Sequence, residues 1–119
     1  RVAAIIKKDI RKEELDNQFN LILEREFNQV KWDVIESIFR ETNNDLFERS
    51  RREARSGAKI IILGESDAMI LKRNQGAFMA QAKKLAHDEG FYFGLALGIL
   101  NQLSVMIRTS PGCFINGIR

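Results

Sequence analysis

Arg49, Arg51, Arg52 and Arg55 form a basic cluster within seven residues. Helical spacing puts Arg51 and Arg55 on one face and brings Arg49 close to Arg52. A patch of this kind can meet phosphates, which makes nucleic acid one class of partner for the chain. Glu48 and Glu53 are interleaved with the arginines, so local Glu–Arg pairing on a solvated helix face accounts for the same residues. No aromatic residue alternates with these arginines, which argues against stacking on single strands.

Other chemistry is sparse. His87 and Cys113 are the only histidine and cysteine, so no Cys/His zinc set can be assembled and no disulfide can close within the chain. Cys113 has no base beside it in the sequence, and His87 reads as a solvated residue near a helix end. Gly64-Glu65-Ser66 lacks the second glycine of a nucleophile elbow and joins two strand-like runs. No glycine–lysine phosphate loop is present, because Gly57-Ala58-Lys59 leads into a strand. Glu65, Asp67, Asp88 and Glu89 read as turn and helix-end carboxylates and not as an acid/base pair. We assign no catalytic residue, metal or cofactor, and expect the chain not to be an enzyme.

The less ordinary feature is a row of small residues. Ala82, Ala86, Gly90, Gly94 and Gly98 recur every fourth position. On one continuous helix they would form a stripe with no side chain larger than methyl. Glycine inside a helix costs about 1 kcal/mol relative to alanine, and close approach of another helix or a ligand would offset that. Phe91, Tyr92 and Phe93 stand beside the stripe and, with the leucines and isoleucines that follow, form an apolar wall. The stripe is expected to line a small apolar pocket or a homodimer interface. The alternative is that Gly90 caps one helix and a second begins near Phe91, with the glycines at a tight core crossing.

Several elements must position these groups. Val2–Ile6 is a short strand or the entry to a helix. Ile10, Leu15, Phe19, Ile22, Leu23 and Phe27 mark one face of a first helix. Asp33 followed by Glu36 resembles a capping box, opening a second helix that breaks or kinks at Asn43-Asn44-Asp45 and resumes over Leu46–Arg55. Ser56-Gly57 ends it. Residues 58–63 and 67–72 are β-branched runs separated by Gly64-Glu65-Ser66, a β-hairpin signal. Helical pattern returns after Asn74-Gln75-Gly76 and runs to about Ile107. Thr109-Ser110-Pro111-Gly112 is a turn, and Cys113–Ile118 is a closing strand. The expected fold class is α+β: a mostly helical single domain over residues 1–119, with one β-hairpin, a glycine-punctuated C-terminal helix and helices on one face of a small sheet.

Composition sets the outer limits. The chain has 119 residues, 45% of them hydrophobic and 29% charged, which suits one globular domain with a real core. The apolar run Phe91–Leu100 is far shorter than the roughly 20 residues of a membrane span. A lone cysteine favours a reducing compartment, so a cytoplasmic location is expected. The net charge of +3 permits an acidic partner without demanding one. Arg1 in place of methionine suggests a piece of a longer chain.

The order helix, then Gly57-Ala58-Lys59-Ile60-Ile61-Ile62-Leu63-Gly64-Glu65-Ser66-Asp67-Ala68-Met69-Ile70-Leu71, then the segment with Gly90, Gly94 and Gly98, resembles the vinyl-reductase-type sensory domains. These include the amino-terminal effector domains of activators of aromatic catabolism. The resemblance covers about residues 45–103. It implies a small-molecule pocket near Phe91, Tyr92, Phe93 and Gly94, within a module for transcription regulation. The cysteine-rich zinc site often found in that family is not matched here. The reading that follows is a non-enzymatic regulatory module that senses a small molecule, homodimerises, or both. The alternatives are a nucleic-acid-binding domain using Arg49–Arg55 and a structural subunit of a larger complex.

Overall fold

A parallel three-stranded sheet with helices packed against it forms the centre of the fold. The computed structural model describes the backbone of residues 1–101, 106–109 and 113–116, and the side chains of residues 1–64 and 68–100. Strand β1 (Val2–Ile5) is followed by helices α1 (Lys12–Leu23) and α2 (Trp32–Arg55), strand β2 (Ile60–Leu71), helix α3 (Gln75–Glu89) and strand β3 (Tyr92–Asn101). Two short strands, β4 (Met106–Thr109) and β5 (Cys113–Asn116), pair antiparallel with the two halves of β3. The α+β class agrees with expectation, but the helices are not confined to one face of the sheet. The parallel strands lie in the sequential order β1-β2-β3. Helix α3 and the second half of α2 pack on the face of Ile70 and Ile99, whereas α1 and the first half of α2 pack against Leu71 and Leu100, the next residues along each strand and so on the opposite face.

Period-two alternation divides the sheet cleanly. Ala3, Ile61 and Phe93 are in register, as are Ile5, Leu63 and Leu95, and all six pack into the core beneath α2 and α3. Their neighbours point the other way: Val2, Ile60 and Tyr92 form one row, and Ala4, Ile62 and Gly94 the next. Among the described residues these two rows are apolar yet open, with Val2 59% and Ile62 42% exposed. Parallel sheets are ordinarily covered on both faces.

Three further expectations are corrected. First, residues 58–72 do not make a hairpin. Gly64-Glu65-Ser66 lies inside the single strand β2, and both halves of β2 run parallel to β3. The pairing passes from Leu63–Leu95 to Ala68–Leu97, so five steps on β2 match two on β3. The residues that signal a turn are absorbed as a bulge, which uses the same backbone freedom.

Second, there is no glycine-punctuated C-terminal helix. Helix α3 stops at Gly90, which takes the left-handed conformation at φ 66°, and β3 begins two residues later. A strand buried in a parallel sheet reads as a nearly continuous apolar run, and periodicity alone does not separate it from a buried helix. Phe91, Phe93, Leu95 and Leu97 are buried while Tyr92, Gly94 and Ala96 are only partly so, a strand period that the four-residue spacing of small residues conceals.

Third, α2 runs unbroken through Asn43-Asn44-Asp45. It also starts at Trp32, with Lys31 in the capping position and no capping side chain, so Asp33 lies inside the first turn and not at the cap. The end of α2 before Ser56-Gly57 agrees with the sequence. The turn expected at Thr109–Gly112 and the full extent of the closing strand lie partly outside the described residues.

Two core clusters result. One joins the sheet to α2 and α3 through Leu46, Phe47, Phe78, Ala82, Phe91 and Phe93. The other joins α1 to the first half of α2 and the far ends of β2 and β3 through Phe19, Ile35, Phe39, Leu71 and Leu100. Buried Gln18 ties the helices of the second cluster, its Oε1 accepting from the backbone N–H of Lys31 at 2.7 Å. Among the described residues no helix is long and apolar enough to cross a membrane.

Candidate functional site

The small-residue stripe does not exist as a surface. Ala82 and Ala86 are fully buried on α3, Gly90 caps that helix, and Gly94 and Gly98 lie on β3. Phe91 and Phe93 are fully buried, in edge-to-face contact at 5.2 Å. Tyr92 and Gly94 belong to the outer sheet face. Gly98 does serve close approach: a Cβ there would sit 3.0 Å from Met69 Cγ on the neighbouring strand. These residues therefore build core and sheet.

The arginines are brought together but are engaged. Arg49 bonds to Asp45 and to the carbonyl oxygen of Ile6 at 2.6 Å. Arg51 pairs with Glu48 and Glu89, and Arg52 with Glu48. Arg55 reaches Glu89 across to α3 at 2.9 Å, and that hydrogen bond raises the Arg55 pKa further. The Glu89 side chain is only 16% exposed, so the cluster is a clasp between α2 and α3 more than an open phosphate-binding surface.

A cavity lies between the two clusters of core. Its volume is about 220 Å³, and it opens between α2 and α3 at the carboxyl end of β2. Phe39, Asn43 and Arg40 line it from α2, Ile70 and Leu71 from β2, and Asn74, Phe78 and Gln81 from the start of α3 and the residue before it. The carboxyl end of parallel strands is where ligands bind in open α/β sheets. The aromatic walls are held from behind: Phe39 stacks against Phe19 at 6.4 Å and Phe78 against Phe47 at 5.1 Å.

Asn43 is the buried polar residue of the lining. Its residues one helical turn away, Phe39 and Phe47, belong to different clusters, and Asn43 is only 6% exposed between them. Its Nδ2 donates to the carbonyl oxygen of Met69 at 2.9 Å, just beyond the β2 bulge. Its Oδ1 is buried with no hydrogen-bond partner. The amide cannot be turned to relieve this, because Oδ1 would then face another acceptor. Unpartnered buried acceptors are rare and destabilising.

At the mouth, Glu36 accepts from Asn74 Nδ2 at 2.8 Å and from Arg73 Nε at 2.9 Å. The bond from Asn74, supported by Arg73, holds the Glu36 carboxyl below the usual carboxylate range. Arg40 stands exposed beside it. Among the described residues no cluster of His, Cys, Asp and Glu could hold a metal ion. His87 is exposed in the last turn of α3, while the Cys113 side chain lies outside the described residues.

No family model matches the chain, and no curated protein or solved structure matches it. The reading of the site therefore stands on the geometry above. Sequence reasoning missed Asn43 because Asn43-Asn44-Asp45 reads as a helix break. The available signal was its position exactly one turn from Phe39 and one turn from Phe47, on the buried stripe.

Proposed function

We propose that this chain is a non-enzymatic regulatory module that binds a small molecule in the cavity between α2, α3 and β2. The observation that carries the reading is a preformed, largely apolar cavity at the carboxyl end of β2, walled by residues of both core clusters. The one carboxylate in the lining, Glu36, is held ionised by Asn74 and Arg73, which suits it to closing the mouth better than to proton transfer. A ligand here would touch α2, α3 and β2 together, and its binding would stabilise their packing by mass action. This is the sensory role that the family resemblance implies, moved from the glycine segment to the α2–α3 cavity. It goes with a cytoplasmic regulator, including one that controls transcription.

The test is amide-resolved NMR of the chain against a library of small polar and aromatic compounds. Shifts clustering at Phe39, Asn43, Leu71, Ala77 and Phe78, and lost in the cavity-filling variant Ala77→Trp, support the reading. Absence of any binder, or binders whose shifts ignore that variant, would overturn it.

Homodimerisation has its own support in the outer sheet face, where Val2, Ala4, Ile60, Ile62 and Tyr92 present apolar surface that has no covering layer among the described residues. Ile62→Lys is expected to convert a dimer to a monomer in light scattering without loss of helical signal. A monomer in both proteins removes this part of the reading. The nucleic-acid alternative is weakened by the carboxylate partners of Arg49, Arg51, Arg52 and Arg55.

A further inference from the structure

Strand β1 stands at one end of the sheet. It pairs with β2, and among the described residues no strand pairs with its other edge. We infer that this edge docks an extended segment of a partner protein in which acidic and apolar residues alternate, added to the sheet as a further strand beside β1. The site is separate from the cavity between α2 and α3.

The backbone decides which groups meet the partner. In a parallel ladder alternate residues bond to the same neighbouring strand. The carbonyl oxygen of Arg1 accepts from the N–H of Lys59, the residue before β2, so Arg1, Ala3 and Ile5 bond toward β2. Val2, Ala4 and the residue after the strand, Ile6, then turn their N–H and C=O groups outward. There the Ile6 carbonyl oxygen accepts from Arg49 Nη2 at 2.6 Å, a side chain that reaches the strand edge from α2.

Charge sets the class of the occupant. An open groove of about 360 Å³ lies along this edge, lined by Ala4, Ile5 and Ile6 on one side and by Arg49, Arg52 and Glu53 of α2 on the other. Glu53 is engaged by Arg1. The Arg52 side chain is 72% exposed and touches Glu48 only at 3.7 Å. Lys7 and Lys8 extend the positive charge just past β1. A strand laid in the groove turns one set of alternate side chains toward Arg49 and Arg52, where carboxylates are favoured. Its other set continues the outer rows of Val2 with Ile60 and Ala4 with Ile62, where apolar side chains extend the face. A second copy of this chain does not suit the edge. Antiparallel pairing of two β1 strands sets the Arg1 end of each against the Lys7-Lys8 end of the other, and like charges opposite one another repel. Lysine at an edge hinders self-pairing in this way while leaving the edge open to an acidic strand.

The test is an NMR titration of the whole chain with a short capped peptide of alternating glutamate and valine, read at the amides of Val2, Ala4 and Ile6. One control is the same peptide with its amides N-methylated, and the other alternates lysine with valine. The parent peptide should shift the β1 amides and bind at least about ten-fold tighter than either control. Ala4→Pro removes an outward N–H at an edge, where proline is tolerated, and should abolish binding. Should that variant fail to fold, Arg52→Glu, at an exposed position, should weaken binding about five-fold in low salt and by less in high salt. Equal binding of the N-methylated peptide overturns strand addition, and equal binding of the lysine–valine peptide overturns the acidic class. Failure of the parent peptide to shift the β1 amides overturns the proposal, as does binding that ignores Arg52→Glu. Duplex DNA that shifts these amides when the peptide does not would assign the edge to nucleic acid instead.

Discussion

Asn43 on α2 donates through Nδ2 to the backbone carbonyl of Met69 on β2, and the same amide is left with a buried oxygen that nothing satisfies. The bond joins the middle of the longest helix to the strand immediately after its bulge. Because Met69 O can only accept, it fixes which end of the amide is free. Part of the fold's stability thus depends on one side chain.

Asn43→Asp tests that orientation. An ionised carboxylate would face the Met69 carbonyl in a buried site, and the variant should lose about 2–4 kcal/mol at neutral pH. Burial raises the folded pKa of the new carboxyl, so the penalty appears as pH rises above the ordinary aspartate range and shrinks as pH falls, where the protonated acid can donate to Met69 O. Urea melts at pH 3.5 and pH 7 measure the gap. A gap independent of pH would place a donor other than Asn43 at Met69 O.

Gly98 should tolerate alanine but not a branched side chain. A Cβ at this position meets the flexible Met69 side chain at 3.0 Å, so Gly98→Ala is expected to lose about 1 kcal/mol as Met69 shifts, and Gly98→Leu about 3 kcal/mol or more from overpacking. Thermal melts of both variants check this. Equal stability of Gly98→Leu and wild type would contradict the strand placement of this residue.

The strand placement also marks what could be read from residue types and what could not. The helix face from Leu15 to Phe19 and Ile22 and the end of α2 before Ser56-Gly57 were legible, because each depends on local spacing or a local break, whereas Val2–Ile6 stayed open between a strand and the entry to a helix. The bulge was not legible. Gly64-Glu65-Ser66 carries turn chemistry, and only pairing of both halves of β2 with β3 decides that the chain continues straight. Phe91–Leu100 was likewise ambiguous, since both faces of this strand carry apolar or small residues and the polar alternation that marks a strand is missing. Asn43 was hidden for a related reason: its polarity suggests a break, and only the carbonyl of Met69, 26 residues away, explains its place in an unbroken helix.

Removing Arg51 and Arg55 together should loosen the α2–α3 clasp without touching any nucleic-acid affinity. Both reach Glu89, which is mostly buried. The double alanine variant should melt at a lower temperature than wild type, and the difference should narrow in 1 M salt as the surviving charges are screened. Filter binding at 50 mM salt should give the same retention of duplex DNA or RNA for both proteins. A strong loss of retention in the variant would restore the nucleic-acid reading.

Glu36 gives the fold an acid-side dependence. The hydrogen bond from Asn74, with that from Arg73, depresses its folded pKa. Its contribution is therefore present above the ordinary glutamate pKa and is lost as pH falls through the lower folded value. Glu36→Gln should be less stable than wild type at pH 7 and nearly equal to it at pH 2.5. A variant that keeps the same deficit at both values would show that the carboxylate charge is not what holds Asn74 and Arg73.

The central proposal is that the α2–α3 cavity binds a small molecule. Its most direct measurement is an NMR titration of the wild-type chain and of Ala77→Trp with the library of small polar and aromatic compounds, followed at the amides of Phe39, Asn43, Leu71 and Phe78. The account predicts saturable shifts at these positions in the wild type and none in the variant. Shifts of equal size in both proteins, or centred on the outer sheet face at Ile60 and Ile62, would contradict it.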